Sequence, residues 1–394
     1  MSSDQLNLNP FVTKGPVIDR KMQAKVEDFD KILFDIIAKG DWFSLLGARQ
    51  NGKTTVMKML EEEIEKRPNL VSIYINLEEF SHIKSNFIYH FNKKVLSLLL
   101  ENSKLNEYFR DIREIKIDKS SSVSNVFCSI SESVKNKIRI VLLLDEYTAL
   151  KYGNIMELLP NLRSAFHYSE VSKMALHSTV LADVRTPMSA EYHSANSPFN
   201  ITTNINIGNL DKDEAINILK EGFGRGGFDL SGNMATIIYE KTNGKAYLVQ
   251  KIGEVIFDNL NNRNNKQVSE DDIEKAISSI LDYTRDDNHF SRIRIEIDRF
   301  IKEENVDVYL YIEKMLSGEK SNQNSAIAQH LFKVVGVLDV EKSGGICTMN
   351  EIYRRFFLLE IQRIKDEQRF KLKVDNTPNP SFLKNILHVL KIKN

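Results

Sequence analysis

The chain has 394 residues, of which 42% are hydrophobic and 27% are charged, and this length predicts two or three domains with packed cores. The formal net charge is zero, which excludes a global electrostatic attraction to nucleic acid or to an anionic membrane. The chain has only two, distant cysteines, no signal-peptide pattern and no apolar run of membrane-spanning length, so we expect a cytoplasmic protein with no membrane partner.

The first informative pattern is a glycine-rich loop between a predicted strand, residues 42–46, and a predicted helix that continues to Ile64. The loop has the complete phosphate-binding pattern GxxxxGK(S/T), in which glycines turn backbone N–H groups inward at a helix N-terminus. In this pattern Lys53 reaches the β- and γ-phosphates, where we expect it to assist catalysis, and the Thr54 hydroxyl binds Mg²⁺. The residues predicted to bind ATP or ADP are Gly47, Ala48, Arg49, Gln50, Asn51, Gly52, Lys53, Thr54 and Thr55.

A second pattern is an apolar run, residues 139–144, that ends in two acids, Asp145 and Glu146. Such a run is typical of a strand that is buried on both faces of a parallel sheet. The acids would then lie at the carboxyl edge of the sheet, beside the phosphate loop. We expect Asp145 to bind Mg²⁺ and Glu146 to polarise the water that attacks the γ-phosphate.

Short apolar strands alternate with helical stretches in the first half of the chain. This alternation predicts an α/β fold over residues 1–210, a three-layer P-loop NTPase with a parallel sheet. The predicted strands cover residues 42–46, 71–77, 138–144, 174–178 and 201–207.

Polar and basic residues near the fourth predicted strand are further candidates. Ser178 or Thr179, at the predicted carboxyl end, would bond the γ-phosphate or the attacking water, and we select Ser178 as the catalytic candidate. A hydroxyl that bonds only to backbone is an equal alternative. Arg163 and Arg185 are candidates for an arginine finger that acts across a subunit interface, and a surface ion pair is the alternative for each.

From Asp211 the residue pattern is typical of helices, and we predict a helical lid domain over residues 211–285. Asp211 and Glu214 form a predicted capping box at the start of the first helix. Ser269 is the predicted N-cap of the last one. The other predicted helices cover residues 233–241 and 247–259.

The last third predicts a winged-helix domain, residues 286–360, followed by a basic tail, residues 361–394. Helices over residues 290–302, 306–316 and 325–335 precede two short strands, residues 337–340 and 346–349, around a Ser-Gly-Gly turn. Residues 351–394 carry ten Lys/Arg against five Asp/Glu, a net charge of +5. The basic segment is a candidate patch for nucleic acid or an acidic partner, with DNA binding possible through residues 286–394, and a solvated surface or disordered tail is the alternative.

Five segments of the chain form a combination of motifs: Gly15-Pro-Val17, the phosphate loop, Ser197-Pro-Phe-Asn200, Gly244-Lys-Ala-Tyr-Leu-Val-Gln250 and Asn350-Glu-Ile-Tyr353. This combination resembles a bacterial AAA-like ATPase family of the STAND class over residues 10–360. In that family the last segment closes a winged helix with an Asn-x-Ile-Tyr signature.

The resemblance implies an ATP-driven signalling switch. ADP would hold a closed form, and exchange for ATP would allow opening and assembly into a homo-oligomer that acts on a protein partner or effector, for example in phage defence. The resemblance further suggests a contact between His330 and the β-phosphate in the closed form, but a structural histidine is the alternative, and His330 is not among the predicted site residues. Two departures are notable: the family's Gly-x-Pro is here Gly244-Lys245-Ala246, and no sizeable effector domain is expected outside residues 10–360.

Two other functions remain open at this point. One is a nucleic-acid-dependent AAA+ ATPase whose winged helix and basic tail bind DNA. The other is a nucleotide-gated DNA-binding regulator with negligible ATP turnover. Salt-dependent binding of DNA would separate both from a switch that acts through protein contacts.

Overall fold

The computed structural model describes residues 8–24, 29–171, 174–183, 202–264, 266–319, 325–340 and 346–375. The chain divides into two compact units after residue 276, with residues 333–335 grouped with the first unit. The predicted domain boundaries at residues 210, 285 and 360 stay predictions. None of the helices in the described ranges is both long and apolar enough to cross a membrane.

The first unit contains a five-stranded parallel sheet in the order β2-β3-β4-β1-β5. Four of the predicted strands agree with the structure to within two residues, but the fourth extends five residues beyond its predicted end. The strands are β1 (Phe43–Leu46), β2 (Leu70–Asn76), β3 (Arg139–Asp145), β4 (Leu176–Asp183) and β5 (Thr203–Asn206).

Helices cover both faces of this sheet, because a strand such as β3 has apolar side chains on both of its faces. Successive side chains of a strand point to opposite faces, so Ile140, Leu142 and Leu144 pack into one apolar core. Val141 and Leu143 pack into the other. The helices around the sheet are α1 (Phe29–Phe34), α2 (Lys53–Glu65), α3 (Phe87–Glu101), α4 (Phe109–Arg113), α5 (Val123–Ser133) and α6 (Tyr152–Val171). Short 3-10 helices cover Arg20–Met22, Leu77–Phe80, Ser103–Tyr108 and Tyr147–Ala149, and a π-helix covers Asp35–Lys39.

A group of helices follows β5, as the sequence predicts. The Asp211 capping box is confirmed, because Glu214 N donates to Asp211 Oδ1 at 2.8 Å and Asp211 N donates to Glu214 Oε2 at 2.9 Å. Ser269 and Asp272 make the same reciprocal bonds at the last helix. The helices are α7 (Lys212–Arg225), α8 (Gly232–Thr242), α9 (Ala246–Asn261) and α10 (Glu270–Asp282).

The second unit is helical with a small antiparallel strand pair. Asn350 caps the final helix, since its Oδ1 accepts from Tyr353 N at 2.9 Å, and the buried Tyr353 hydroxyl lies 2.7 Å from His289 Nε2. The predicted strand pair is confirmed, and its predicted turn, residues 341–345, lies outside the described residues. The elements are α11 (Asn288–Glu304), α12 (Val308–Leu316), α13 (Ala326–His330), a π-helix (Leu331–Val335), β6 (Leu338–Val340), β7 (Ile346–Thr348) and α14 (Glu351–Asp375). The predicted basic tail therefore begins within α14.

Candidate nucleotide-binding site

The phosphate loop connects the carboxyl end of β1 to the first residue of α2. Gly52 has φ 91°, a left-handed conformation that suits glycine, and it allows α2 to begin at Lys53. Lys53 is only 6% exposed, and its Nζ donates to the carbonyl oxygens of Gly47 and Ala48 at 2.9 and 3.0 Å. The loop thus curls around an ammonium group at a helix N-terminus, whose first N–H groups have no partner within the helix.

Asp145 lies at the carboxyl end of β3 and is linked directly to the phosphate-loop helix. Its Oδ2 accepts from the Thr54 hydroxyl at 2.7 Å, and its Oδ1 accepts from Glu146 N at 2.9 Å. Burial raises the pKa of this carboxyl, and the bond from Thr54 opposes that rise. The two residues predicted to bind Mg²⁺ are therefore brought together.

Glu146 follows Asp145 at the same edge of the sheet, and its side chain is half-buried. Its backbone has φ 55°, which is uncommon for a residue other than glycine. Residues held in such conformations are frequent at functional sites, because the surrounding structure must offset the strain. Burial lowers the pKa of Lys53, and the charges of Glu146, Asp183 and Asp145 act in the opposite direction.

The predicted position of Ser178 at the carboxyl end of its strand is wrong, because the residue lies near the amino end of β4. Ser178 pairs in register with Val141, near the start of β3, and its hydroxyl donates to Asp41 O at 2.5 Å. Five residues of extended strand separate it from the end of β4, a distance of roughly 16 Å. Thr179 is the next residue of the same strand and is also buried.

Asp183 occupies the position that was expected for Ser178, at the carboxyl end of β4. It is 1% exposed, pairs in register with Leu46, and its backbone oxygen accepts from Gly47 N at 3.1 Å. Its Oδ1 accepts from the Thr148 hydroxyl at 2.9 Å. A third carboxylate thus lies at the edge that holds Asp145. The sequence signal was available: the apolar run after Ser178 ends in this acid, as the run before Asp145 does.

Two further side chains contact the site, although neither was predicted as a site residue. Tyr74, on β2, donates its hydroxyl to Asp145 Oδ2 at 3.1 Å, and burial raises the pKa of this phenol above its usual value. Lys245 contacts the phosphate loop itself. Its Nζ donates to Arg49 O at 2.9 Å and to Asn51 Oδ1 at 2.5 Å.

Four further candidates came from the sequence: Thr55, Arg163, Arg185 and His330. The Thr55 hydroxyl accepts from Val17 N at 3.1 Å and so joins the N-terminal segment to α2. Arg163 lies on α6 and stays a prediction. His330 stacks on Phe300 with ring centroids 4.1 Å apart, and burial lowers its pKa to about 4, so the ring is neutral near pH 7 and lacks the charge that would favour a phosphate. Arg185 and the segment 197–200 lie outside the described residues.

The donor groups at this edge fit a magnesium nucleotide. Mg²⁺ in proteins is usually bound by one or two protein oxygens, and substrate phosphates and water complete its shell. The Thr54 hydroxyl and the Asp145 carboxylate are such oxygens and lie 2.7 Å apart. Lys53 and the start of α2 supply the positive charge that phosphates need.

The parallel sheet, its two helical layers and the loop between β1 and α2 define the three-layer P-loop NTPase fold. The Walker-type ATPase PABY2304 of Pyrococcus abyssi has this fold, with a TM-score of 0.62, 14% identity, and coverage of 87% of this chain and 98% of that chain. This likeness shows the fold alone.

Two more distant structures also align with the chain. The RuvB Holliday junction branch migration motor of Thermotoga maritima has a TM-score of 0.46 and 14% identity, and covers 84% of this chain and 94% of its own. The ORC1 protein of Aeropyrum pernix, solved in complex with DNA, has a TM-score of 0.44 and 13% identity, and covers 86% and 94%. Similarity at this level supports no inference about function. No protein-family model and no curated protein matches the sequence.

Proposed function

We propose that this protein binds ATP and ADP with Mg²⁺ and hydrolyses ATP slowly. The observation that carries the proposal is the bond between the Thr54 hydroxyl and Asp145, which joins the phosphate-loop helix to the strand that ends in Asp145 and Glu146. Backbone N–H groups, an ammonium group and carboxylates in this arrangement are the parts that phosphoryl transfer to water requires.

Each residue has a distinct role in this proposal. The loop Gly47–Thr55 binds the phosphates, and Lys53 neutralises the charge that develops on the γ-phosphate. Thr54 and Asp145 hold Mg²⁺, which when bound draws charge from the phosphate oxygens. Glu146 accepts a proton from the attacking water. Asp183 is buried beside the loop and orients two donors: its Oδ1 accepts from the Thr148 hydroxyl, and its backbone oxygen accepts from Gly47 N.

The wider proposal is a STAND-like switch that changes form with the bound nucleotide. Helices α7–α10 would act as the lid, and α11–α13 with the β6–β7 pair would act as a winged helix. The output would be contact with a protein partner or effector, with assembly into a homo-oligomer in the ATP form, and antiviral defence is one such setting. This part of the proposal depends on the motif resemblance and on the order of the elements.

Calorimetry and phosphate release test the proposal on the full chain. We expect heat of binding with magnesium ADP and magnesium ATP, and release of phosphate from ATP in several turnovers. Absence of binding heat for both nucleotides would reject the site. Binding without phosphate release would leave a nucleotide-gated switch and reject the hydrolase.

The alternative function is a DNA-dependent AAA+ ATPase or a DNA-binding regulator that uses residues 286–394. The observation that favours it is the helix group followed by a strand pair and a basic segment. The described part of α14 weakens it, because several basic residues are paired with acids on the protein itself. These pairs are Arg355–Glu351, Arg363–Glu360, Arg363–Glu367 and Lys365–Glu313.

Titration of labelled duplex DNA with the full chain at 50 and 200 mM salt tests the alternative. A DNA-binding protein that neutralises several phosphates would lose affinity steeply over this range. Exchange of Arg354 and Arg355 for Ala would then weaken binding to all sequences alike. If the wild type and the variant with Ala at positions 354 and 355 bind DNA equally weakly, the surface that carries these two arginines is excluded as the DNA interface.

A further inference from the structure

Lys245 is a fully buried lysine whose ammonium group bonds to the phosphate loop. The residue lies at the turn between α8 and α9, residues 242–246, which we call the α8–α9 turn. Its side chain is 0% exposed. The ammonium group donates to Arg49 O at 2.9 Å and to Asn51 Oδ1 at 2.5 Å, so its bonds go to two residues inside the predicted phosphate-binding pattern.

The α8–α9 turn is held in place by the segment that follows β5. Leu210 N donates to Gly244 O at 2.8 Å, and Asn209 Nδ2 donates to Asn243 O at 3.0 Å. Gly244 has φ 65°, and a Cβ atom there would lie 2.0 Å from Leu210 O, so only glycine allows this approach. Asn51 Nδ2 contacts the same segment, at Ile207 O. The loop, the segment after β5 and the turn form one hydrogen-bonded group.

The electrostatics of Lys245 favour an anionic ligand at the phosphate loop. Fully buried lysines are rare and are normally paired with an opposite charge, whereas the bonds of Lys245 go to uncharged oxygens. Burial, and next the charge of Lys53, lower the pKa of Lys245 to about 7. The hydrogen bonds place two lysine side chains, Lys53 and Lys245, around one short loop that predicts phosphate binding. A polyphosphate is the chemical class that stabilises both charges.

We propose that Lys245 is a positioning residue that fixes the phosphate loop from the α8–α9 turn and couples the docking of this turn to the phosphates of a bound nucleotide. The proposal depends on the proposed nucleotide binding. In the free protein Lys245 holds the Arg49 carbonyl and the Asn51 side chain, so the loop is preorganised for its ligand. When phosphates neutralise the surroundings of Lys53 and Lys245, the bonds from Lys245 strengthen and the turn is held more firmly.

The test compares Lys245→Met with Lys220→Met, which makes the same chemical change at an exposed lysine of α7. We expect the calorimetric Kd for magnesium ADP to rise about tenfold to a hundredfold in Lys245→Met, as for the loss of hydrogen bonds to a charged group. Lys220→Met should stay within about twofold of the wild-type Kd, as for an exposed charge. A purely structural lysine would instead lower the melting temperature of the free protein and leave the Kd unchanged.

Hydrogen exchange on the wild-type chain supplies a second measurement that needs no variant. We expect magnesium ADP to slow amide exchange in the phosphate loop and also in the α8–α9 turn. Protection confined to the loop, or equal Kd values for Lys245→Met and wild type, overturns the coupling. A wild-type chain that binds no nucleotide instead rejects the proposed function itself, so the two failures are distinguishable.

Discussion

The phosphate-loop edge of the sheet and the helical second unit both bury charged side chains, but they neutralise them in different ways. At the loop, Lys53 and Lys245 donate to carbonyl and amide oxygens. In the second unit, the Arg294 guanidinium pairs with Glu360 Oε1 at 2.7 Å. Arg363 pairs with Oε2 of the same carboxylate at 3.0 Å.

This difference separates charge that is available to a ligand from charge that stabilises the protein. A buried ammonium group that bonds only to dipoles still gains energy when an anion arrives. An arginine that already shares a carboxylate gains little from a further anion. Substitutions at the loop should therefore change nucleotide binding with small effects on folding, and substitutions in the Glu360 group should do the reverse.

The largest effect is expected for Lys53→Ala. The variant loses the ammonium group that we propose binds the phosphates, so we expect nucleotide affinity to fall at least about a hundredfold, as for the loss of charge-assisted bonds. Calorimetry with magnesium ATP measures it, and Lys66→Ala, an exposed lysine just beyond the end of α2, is the matched control. Affinity within about threefold of wild type would show that Lys53 does not contact the phosphates.

Glu146→Gln should separate binding from hydrolysis. The amide keeps the shape of the side chain but cannot accept a proton, so kcat should fall by about 10²- to 10⁴-fold while the Kd for ATP stays within about threefold. Single-turnover phosphate release measures the chemical step. Asp183→Asn is the informative comparison, because it changes another acid at the same edge. If Glu146→Gln turns over ATP at the wild-type rate, the general base is a different group.

The fold of the first unit was largely predictable because its signals are local. Alternating faces of β3 and the capping box at Asp211 are short-range patterns, and both are present in the structure. The end of β4 was predicted wrongly, although its signal is also local. The run Ser178–Asp183 has no turn residue, so the sequence is compatible with a strand that continues to the acid at its end. The pairing of β4 with β1 and β3 shows that the strand does continue to Asp183.

The candidate site likewise has a part that the sequence predicted and a part that it did not. The phosphate loop and the pair Asp145–Glu146 are contiguous motifs, and the structure brings Thr54 and Asp145 together. Lys245 and Tyr74 reach this site from distant parts of the chain, and neither belongs to a motif whose chemistry is fixed by spacing. Lys245 does not take the place of a residue that was expected to bind the nucleotide. In the sequence, Tyr74 looks like any other half-buried strand residue. Tertiary packing alone determines both contacts.

In the second unit we expect substitutions to change the free energy of unfolding rather than nucleotide binding. Glu360→Ala leaves two partly buried arginines without their shared carboxylate, so we expect a loss of about 3 kcal/mol in the free energy of unfolding. Glu367→Ala, which removes an exposed partner of Arg363, should cost less than about 0.5 kcal/mol. Urea unfolding measures both values, and nucleotide affinity should not change in either variant.

The pH dependence of the Glu360 effect has a defined sign. Burial raises the pKa of Glu360, but the bond and charge of Arg294 and the charge of Arg363 outweigh it, so the net pKa lies below its ordinary value of 4.5. The stabilisation is therefore fully present above the unfolded-state pKa and is lost as pH falls through the folded-state pKa. The difference between wild type and Glu360→Ala should shrink below pH 4.5. A constant difference down to pH 3 would contradict the assigned ion pair.

The smallest effect is expected for Tyr74→Phe, which removes one neutral donor from Asp145. The Lys58 ammonium group lies 3.6 Å from the centre of the Tyr74 ring, so a phenylalanine should keep the same position and fold. Asp145 would retain the Thr54 bond but lose part of its orientation, because the phenol bonds to the same oxygen. We therefore expect the Mg²⁺ concentration for half-maximal ATP hydrolysis to rise about two- to tenfold, as for one net hydrogen bond. Tyr152→Phe, at an exposed position of α6, should leave the Mg²⁺ dependence unchanged. An equal Mg²⁺ requirement in both variants would show that the Tyr74 hydroxyl does not position the metal-binding carboxylate.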